Sequence, residues 1–145
     1  MNFELVRDPG ALRRVWPGLR EPAGALALDL ETYGDRPADA LDPHRGEIRL
    51  LTLMRSGASP VIFDLRALGY RAADWAGLFA GREVIGHNLH FDAAWLLEKL
   101  GVRLANLFCT WSAAKLLSNG DARTSNALGP VLGGFWAWLS RKTWP

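Results

Sequence analysis

Apolar positions along this chain follow two rhythms. A continuous apolar run, Leu26–Leu30, has the length and composition of a buried strand. After the polar connection Asp35–Glu47, "IRLLTLMRS" (Ile48–Ser56) predicts a second strand, Gly57–Pro60 a turn and "VIFDL" (Val61–Leu65) a third strand. A short helix is expected over Ala73–Ala80, then a strand over Glu83–Gly86. From there the rhythm changes. Leu89, Ala93, Leu96 or Leu97, and Leu100 recur at helical spacing, which predicts a helix over Leu89–Leu100 that stops at Gly101. Trp111–Leu117 reads as a further helix, and Thr124–Leu132 begins a third. Residues 1–23 hold Pro9, Gly10, Pro17, Gly18 and Pro22, so they read as a loop-rich lead-in with at most a short helix around Ala11–Trp16. Strands first, then strand–helix alternation, predict an α/β or α+β sheet with helices packed on it.

Composition narrows the class without naming a function. The 145 residues fit one domain, residues 1–145. A domain of that length buries roughly 68–70% of its unfolded surface, enough for a real core. A net charge of +2 permits nucleic-acid binding but does not argue for it, because the basic residues are scattered. The single cysteine, Cys109, excludes an internal disulfide and a Cys-rich metal site. No secretory pattern opens the chain, and its apolar stretch after Arg123 is broken by glycines and Pro130. A cytoplasmic protein with no membrane partner is expected.

The chemistry concentrates in two places. Side chains alternate along a strand, so Asp29 and Glu31 project to one face at the end of the Leu26–Leu30 run. Two carboxylates about 4 Å apart at an effective dielectric near 20 repel by roughly 4 kcal/mol. A divalent cation removes that penalty, and hard oxygen ligands favour Mg²⁺ or Mn²⁺. Asn88 and Asp92, four residues apart at a helix start, can share one face of its first turn. If the sheet brings that turn to the Asp29/Glu31 strand, three carboxylates converge. Each pattern also has a structural explanation: Asp-x-Glu after an apolar strand is common, and Asn-x₃-Asp often caps a helix. His87 and His90 lack the further ligands a zinc site needs. No P-loop, dinucleotide fingerprint or Gly-x-Ser-x-Gly occurs. Trp75, Trp95 and Trp111 read as core.

Taken in order and in context, "LALDLET" followed by "EIRLLTL", then "VIGHNLHFDAAWLLEKLG", resemble the first two metal-binding motifs of the DEDD family of 3′–5′ exonucleases. Ribonuclease D and the proofreading domain of DNA polymerase I belong to that family. The resemblance spans residues 24–132 and includes "LFCTWSAAKLLSNGDARTSNALGPVL", similar to the helix pair before the third motif. It implies an RNase H-like α/β fold, a mixed sheet flanked by helices, lacking the family's last helices. It implies that Asp29, Glu31 and Asp92 are the catalytic metal ligands for two Mg²⁺ or Mn²⁺ ions. It implies that Thr32 and Asn88 contact the substrate, the 3′ end of single-stranded DNA or RNA. The family's third motif places a Tyr or His four residues before an Asp on a late helix. After Asp121 this sequence has no Asp, Glu, Tyr or His. Tyr70 and Asp74 have the spacing but precede the second motif, and read as coincidence. An impaired exonuclease is therefore expected. The alternatives are a non-catalytic nucleic-acid- or partner-binding remnant, and the N-terminal piece of a proofreading DNA polymerase.

The tail, residues 133–145 with Trp136, Trp138 and Trp144, resembles nothing in the family. Reverse translation from the third base of the Gly133 codon allows a Leu-Gly pair followed by a Pro-Lys-Asp-like stretch, similar to the family's continuation. A one-base loss near that codon is therefore expected. The nucleotide sequence from the Leu132 codon onward tests it: the shifted frame should continue into a Tyr- or His-x₃-Asp on a helical pattern. Prompt stop codons in that frame would rule the shift out.

Overall fold

A computed structural model describes residues 2–21, 24–119, 121 and 123–139, with the backbone alone for 134–139. Of the atypical tail, residues 140–145 and the side chains from 134 onward lie outside the described residues. The elements run β1 (Glu4–Val6), α1 (Pro9–Arg20), β2 (Leu26–Tyr33), a 3-10 turn (Asp39–Leu41), β3 (Glu47–Arg55) and β4 (Val61–Asp64). They continue with α2 (Leu65–Leu68), α3 (Trp75–Phe79), β5 (Glu83–Gly86), α4 (Leu89–Leu100), β6 (Asn106–Cys109), α5 (Thr110–Leu117) and α6 (Leu128–Leu139). The six strands form one sheet in the order β1-β4-β3-β2-β5-β6. β2–β3 and β3–β4 are antiparallel, whereas β1–β4, β2–β5 and β5–β6 are parallel. The expected mixed sheet with flanking helices is therefore present.

Several elements differ from the sequence expectation, each for a physical reason. The lead-in holds a 12-residue helix rather than a short one. Asp8 starts it by accepting from Gly10 N–H at 2.8 Å and Ala11 N–H at 3.0 Å. Pro9 occupies the first turn, where no intrahelical donor is needed. β1 was not anticipated, because its three residues become a strand only by pairing with distant β4, where Val6 is fully buried. β6 was missed for the same reason: it exists through β5. α2 also went unforeseen; the Asp64 side chain accepts from Ala67 N–H at 3.2 Å and ends β4. β2 runs to Tyr33 instead of ending at Leu30, because β3 pairs along its whole length. A register shift between Glu31 and Thr32 interrupts that pairing. Asp29 and Glu31 thus lie within a strand and not at its end.

The core lies where both α4 and the N-terminal helices meet the sheet. Trp95 and Leu96 of α4 are fully buried, with Leu26, Leu51 and Leu53 of β2 and β3 and Phe63 of β4. Trp75 is also buried, edge-on to Phe63 at 5.3 Å between ring centroids. Trp111 is only half-buried and does not belong to this core. Gly101 ends α4 in the left-handed conformation (φ 66°). Its N–H reaches Leu97 O, and that of Val102 reaches Leu96 O, both at 3.1 Å. Among the described residues no helix is long and apolar enough to cross a membrane.

Gly86 is required by space and not by conformation. A Cβ there would stand 2.5 Å from Leu89 Cδ2 and 2.8 Å from Leu28 O. The contact lets the β5–α4 turn press against β2. Gly86→Ala should destabilise the protein by about 1–3 kcal/mol through overpacking, measured as a lower urea midpoint with an unchanged slope. An unaltered midpoint would show that the turn relaxes freely.

Candidate active site

β2 presents two faces. Leu28 and Leu30 are buried on one, Asp29 and Glu31 are exposed on the other. This is the alternation that their spacing predicts. β5 pairs with only the first two residues of β2, Leu26 with Val84 and Ala27 with Ile85, and ends at Gly86. Beyond that point the β5 side of β2 has no strand beside it. There the Leu30 N–H donates to Asp92 Oδ1 at 3.1 Å, across 62 residues of sequence. A helix side chain thus completes a hydrogen bond that the sheet would otherwise leave open.

Asp92 is 5% exposed, in the first turn of α4. Burial, and then the charge of nearby Asp29, pushes its carboxyl up to about 7. The Leu30 N–H pulls the other way but does not win. Asp29 is solvent-exposed, yet partial loss of hydration also raises it above the usual carboxylate range. The structure therefore brings Asp29 and Asp92 together as a pair that resists carrying two negative charges. Glu31 lies on the same strand face two residues on. Among the described residues, no group of three or more His, Cys, Asp or Glu side chains stands close enough to hold a metal ion. The donor set fits a hard divalent cation such as Mg²⁺, which often takes only one or two protein carboxylates and keeps water or phosphate on its other positions.

The two expected substrate contacts differ. Asn88 occupies the N-cap position of α4 in the left-handed conformation (φ 60°, ψ 37°), and its side chain makes no capping bond. An asparagine tolerates that backbone better than most residues. Its amide is left unused by the helix, contrary to the plain capping explanation. Thr32 is committed elsewhere: its hydroxyl donates to Ala40 O at 2.6 Å and ties β2 to the following loop.

Other residues at this end of the sheet were not singled out as functional from sequence. The Thr110 hydroxyl donates to Gly86 O at 3.1 Å and lies 3.0 Å from His87 Nδ1, within hydrogen-bond distance. This pair of contacts spans the end of β5 and the residue after it. It also locks the β5–α4 turn to the start of α5. Trp111 follows, with the Lys115 ammonium 4.1 Å from its ring centroid and the His90 ring 6.4 Å away. The missed signal was β6, whose end places Thr110 and Trp111 beside the turn. Tyr70 and Asp74, the pair with third-motif spacing, have structural roles. The Tyr70 hydroxyl bonds Glu47 and accepts from Ile48 N–H, and Asp74 accepts from Gly77 N–H at 2.9 Å.

Comparisons with known proteins agree with this fold. Among solved structures, NrnC of Brucella melitensis matches at a TM-score of 0.72 and 22% identity, over 93% of this chain and 61% of that one. The catalytic core of RRP6 from Trypanosoma brucei matches at 0.67 and 20%, over 81% and 31%. RNase D of Trypanosoma brucei, solved in complex with RNA U12, matches at 0.66 and 18%, over 77% and 39%. At these identities the likeness shows the fold, and the chain spans less than two thirds of each of those proteins. No curated protein sequence matches significantly. The model of the 3′–5′ exonuclease family matches residues 6–126. With that match over most of its length, the chain belongs to the 3′–5′ exonuclease family.

Proposed function

We propose that residues 1–145 form one 3′–5′ exonuclease-type domain that binds the 3′ end of single-stranded DNA or RNA and hydrolyses its terminal phosphodiester bond slowly. The observation that carries this is the Asp29–Asp92 pair at the unpaired stretch of β2. Asp29 and Asp92 would hold a divalent cation, Mg²⁺ or Mn²⁺, with Glu31 as the further carboxylate on the same face. Bound there, the ion supplies Lewis-acid polarisation of the phosphate and a more acidic water. Asp92, anchored by the Leu30 N–H, sets the position of that charge without a freely rotating side chain. The Asn88 amide, which makes no capping bond, would hydrogen-bond the substrate strand. Thr32 serves the same end indirectly by holding the loop after β2.

Slow turnover is proposed for these 145 residues by themselves, because residues 122–145 include no Asp, Glu, Tyr or His to orient or deprotonate water. A positioned general base contributes about 10²–10⁴-fold. The chain should release mononucleotides from a 5′-labelled single strand only with Mg²⁺ or Mn²⁺, well below the rate of an exonuclease that has such a base. Asp29→Ala should abolish that release. Turnover unchanged by Asp29→Ala would sink the assignment. Strand binding with no turnover at all, insensitive to Asp29→Ala, would instead identify a non-catalytic binding domain.

Asp92 offers a test that does not depend on activity. Its buried charge has no cationic partner among the described residues, which disfavours the folded state at neutral pH. Asp92→Asn keeps an oxygen for the Leu30 N–H and removes the charge. Without metal, Asp92→Asn should melt above the wild type at pH 8. Added Mg²⁺ should raise the wild-type midpoint and leave that of Asp92→Asn in place. A lower melting point for Asp92→Asn in EDTA would show that the pair is not under charge strain.

A further inference from the structure

Opposite the carboxylates, at the edge where β2 and β5 begin, three arginines gather around the end of α1. Arg20 is exposed in the last turn of α1. Arg55 pairs across from Leu26 at the end of β3, and its Nη1 donates to Gly18 O. Arg82 immediately precedes β5, and its Nη2 donates to Glu21 O. Two guanidinium groups thus already serve carbonyls at this helix end. A helix C-terminus carries only about half a negative charge, so positive charge remains in excess.

The excess shows in three ways. Among the described residues, none of these arginines makes an ion pair. Arg55 Nε and Arg82 Nη1 are buried with no hydrogen-bond partner. Burial, then the Arg55 charge, lowers the Arg82 pKa, and Glu21 only partly offsets this. Beside them Arg20 and Arg82 line a pocket of about 250 Å³ with Gly77, Leu78, Ala80 and Gly81. That is smaller than a typical pocket for a drug-sized ligand. It suits a small anion, and the exposed planar guanidinium of Arg20 can match phosphate oxygens two at a time, with Arg82 adding its charge from the pocket wall.

We propose that the pocket formed by Arg20, Arg82 and the α3–β5 turn binds a phosphate group, separately from the carboxylate site. Leu26, beside Arg55, and Asp29 are three residues apart on β2, so roughly 10 Å of strand separates the two edges. The phosphate belongs either to the backbone of a nucleic-acid strand or to a free phosphate compound.

The test uses the purified chain in EDTA, so that no metal-dependent chemistry enters. Inorganic phosphate should raise the melting point and give a calorimetric binding signal, where NaCl of equal ionic strength does not. Arg20→Gln removes one charged hydrogen-bond donor from an exposed residue and should weaken phosphate by about tenfold. Ala80→Asp, also at an exposed position, places a carboxylate in the pocket and should compete phosphate out. Asp92→Asn should bind phosphate as the wild type does. A single-stranded oligonucleotide without a terminal phosphate identifies the source. Weakened oligonucleotide binding in Arg20→Gln assigns the pocket to backbone phosphate, and unchanged oligonucleotide binding with weakened inorganic phosphate assigns it to free phosphate compounds. An equal effect of NaCl, phosphate affinity indifferent to both Arg20→Gln and Ala80→Asp, or loss of phosphate with Asp92→Asn would overturn the proposal.

Discussion

The hydrogen bond from Leu30 N–H to Asp92 Oδ1 is the interaction on which the site depends. It exists because β5 stops short and leaves β2 with open donors on one side. A neutral acceptor would satisfy Leu30 with less strain. A carboxylate there must lose most of its hydration, and it does so next to Asp29. That arrangement works against stability and favours a cation, which is the balance expected where a fold is shaped around charge chemistry. The close approach of Gly86 to Leu28 and Leu89 keeps the β5–α4 turn tight enough for the bond to form.

The turn and the loop after β2 are each held in place by side chains. On the β6 side, Thr110 bridges Gly86 O and His87, so the first residues of α5 restrain the turn. On the β3 side, Thr32 and the buried Asp39, paired with Arg36 and Arg45, fix the loop after β2. Asn88, next to His87 in the turn, has a left-handed backbone and an amide that makes no capping bond. An outlier of this kind persists only where its surroundings over-determine it, and such positions cluster at functional sites.

A net charge of +2 conceals a polarised molecule. The stretch of β2 beyond the end of β5 carries the strained carboxylate pair, and around the end of α1 lie guanidinium groups that make no ion pair among the described residues. Along β2 they are roughly 10 Å apart, Leu26 beside Arg55 and Asp29 three residues on. Scattered arginines in the sequence become a cluster because Arg20, Arg55 and Arg82 belong to three elements whose ends meet at one edge.

Much of this was determined locally and so could be read from the chain. The β2 alternation that exposes Asp29 and Glu31 follows from strand geometry, and the α4 limits follow from helical spacing and Gly101. The two motifs pointed to the family because their chemistry needs those residue types at fixed short spacings. What sequence could not supply was everything that depends on distant partners. β1 and β6 are too short to announce themselves and exist only through β4 and β5. Trp111 looked like core, but its surroundings are set by where β6 ends. Thr32 matched an expected substrate contact, and the bond of its hydroxyl to Ala40 O became visible only in the fold. Only the tertiary structure decided that Asp92 would be buried against Leu30 and beside Asp29. Burial, and the pKa shift it causes, is a property of the assembled neighbourhood and not of any residue alone.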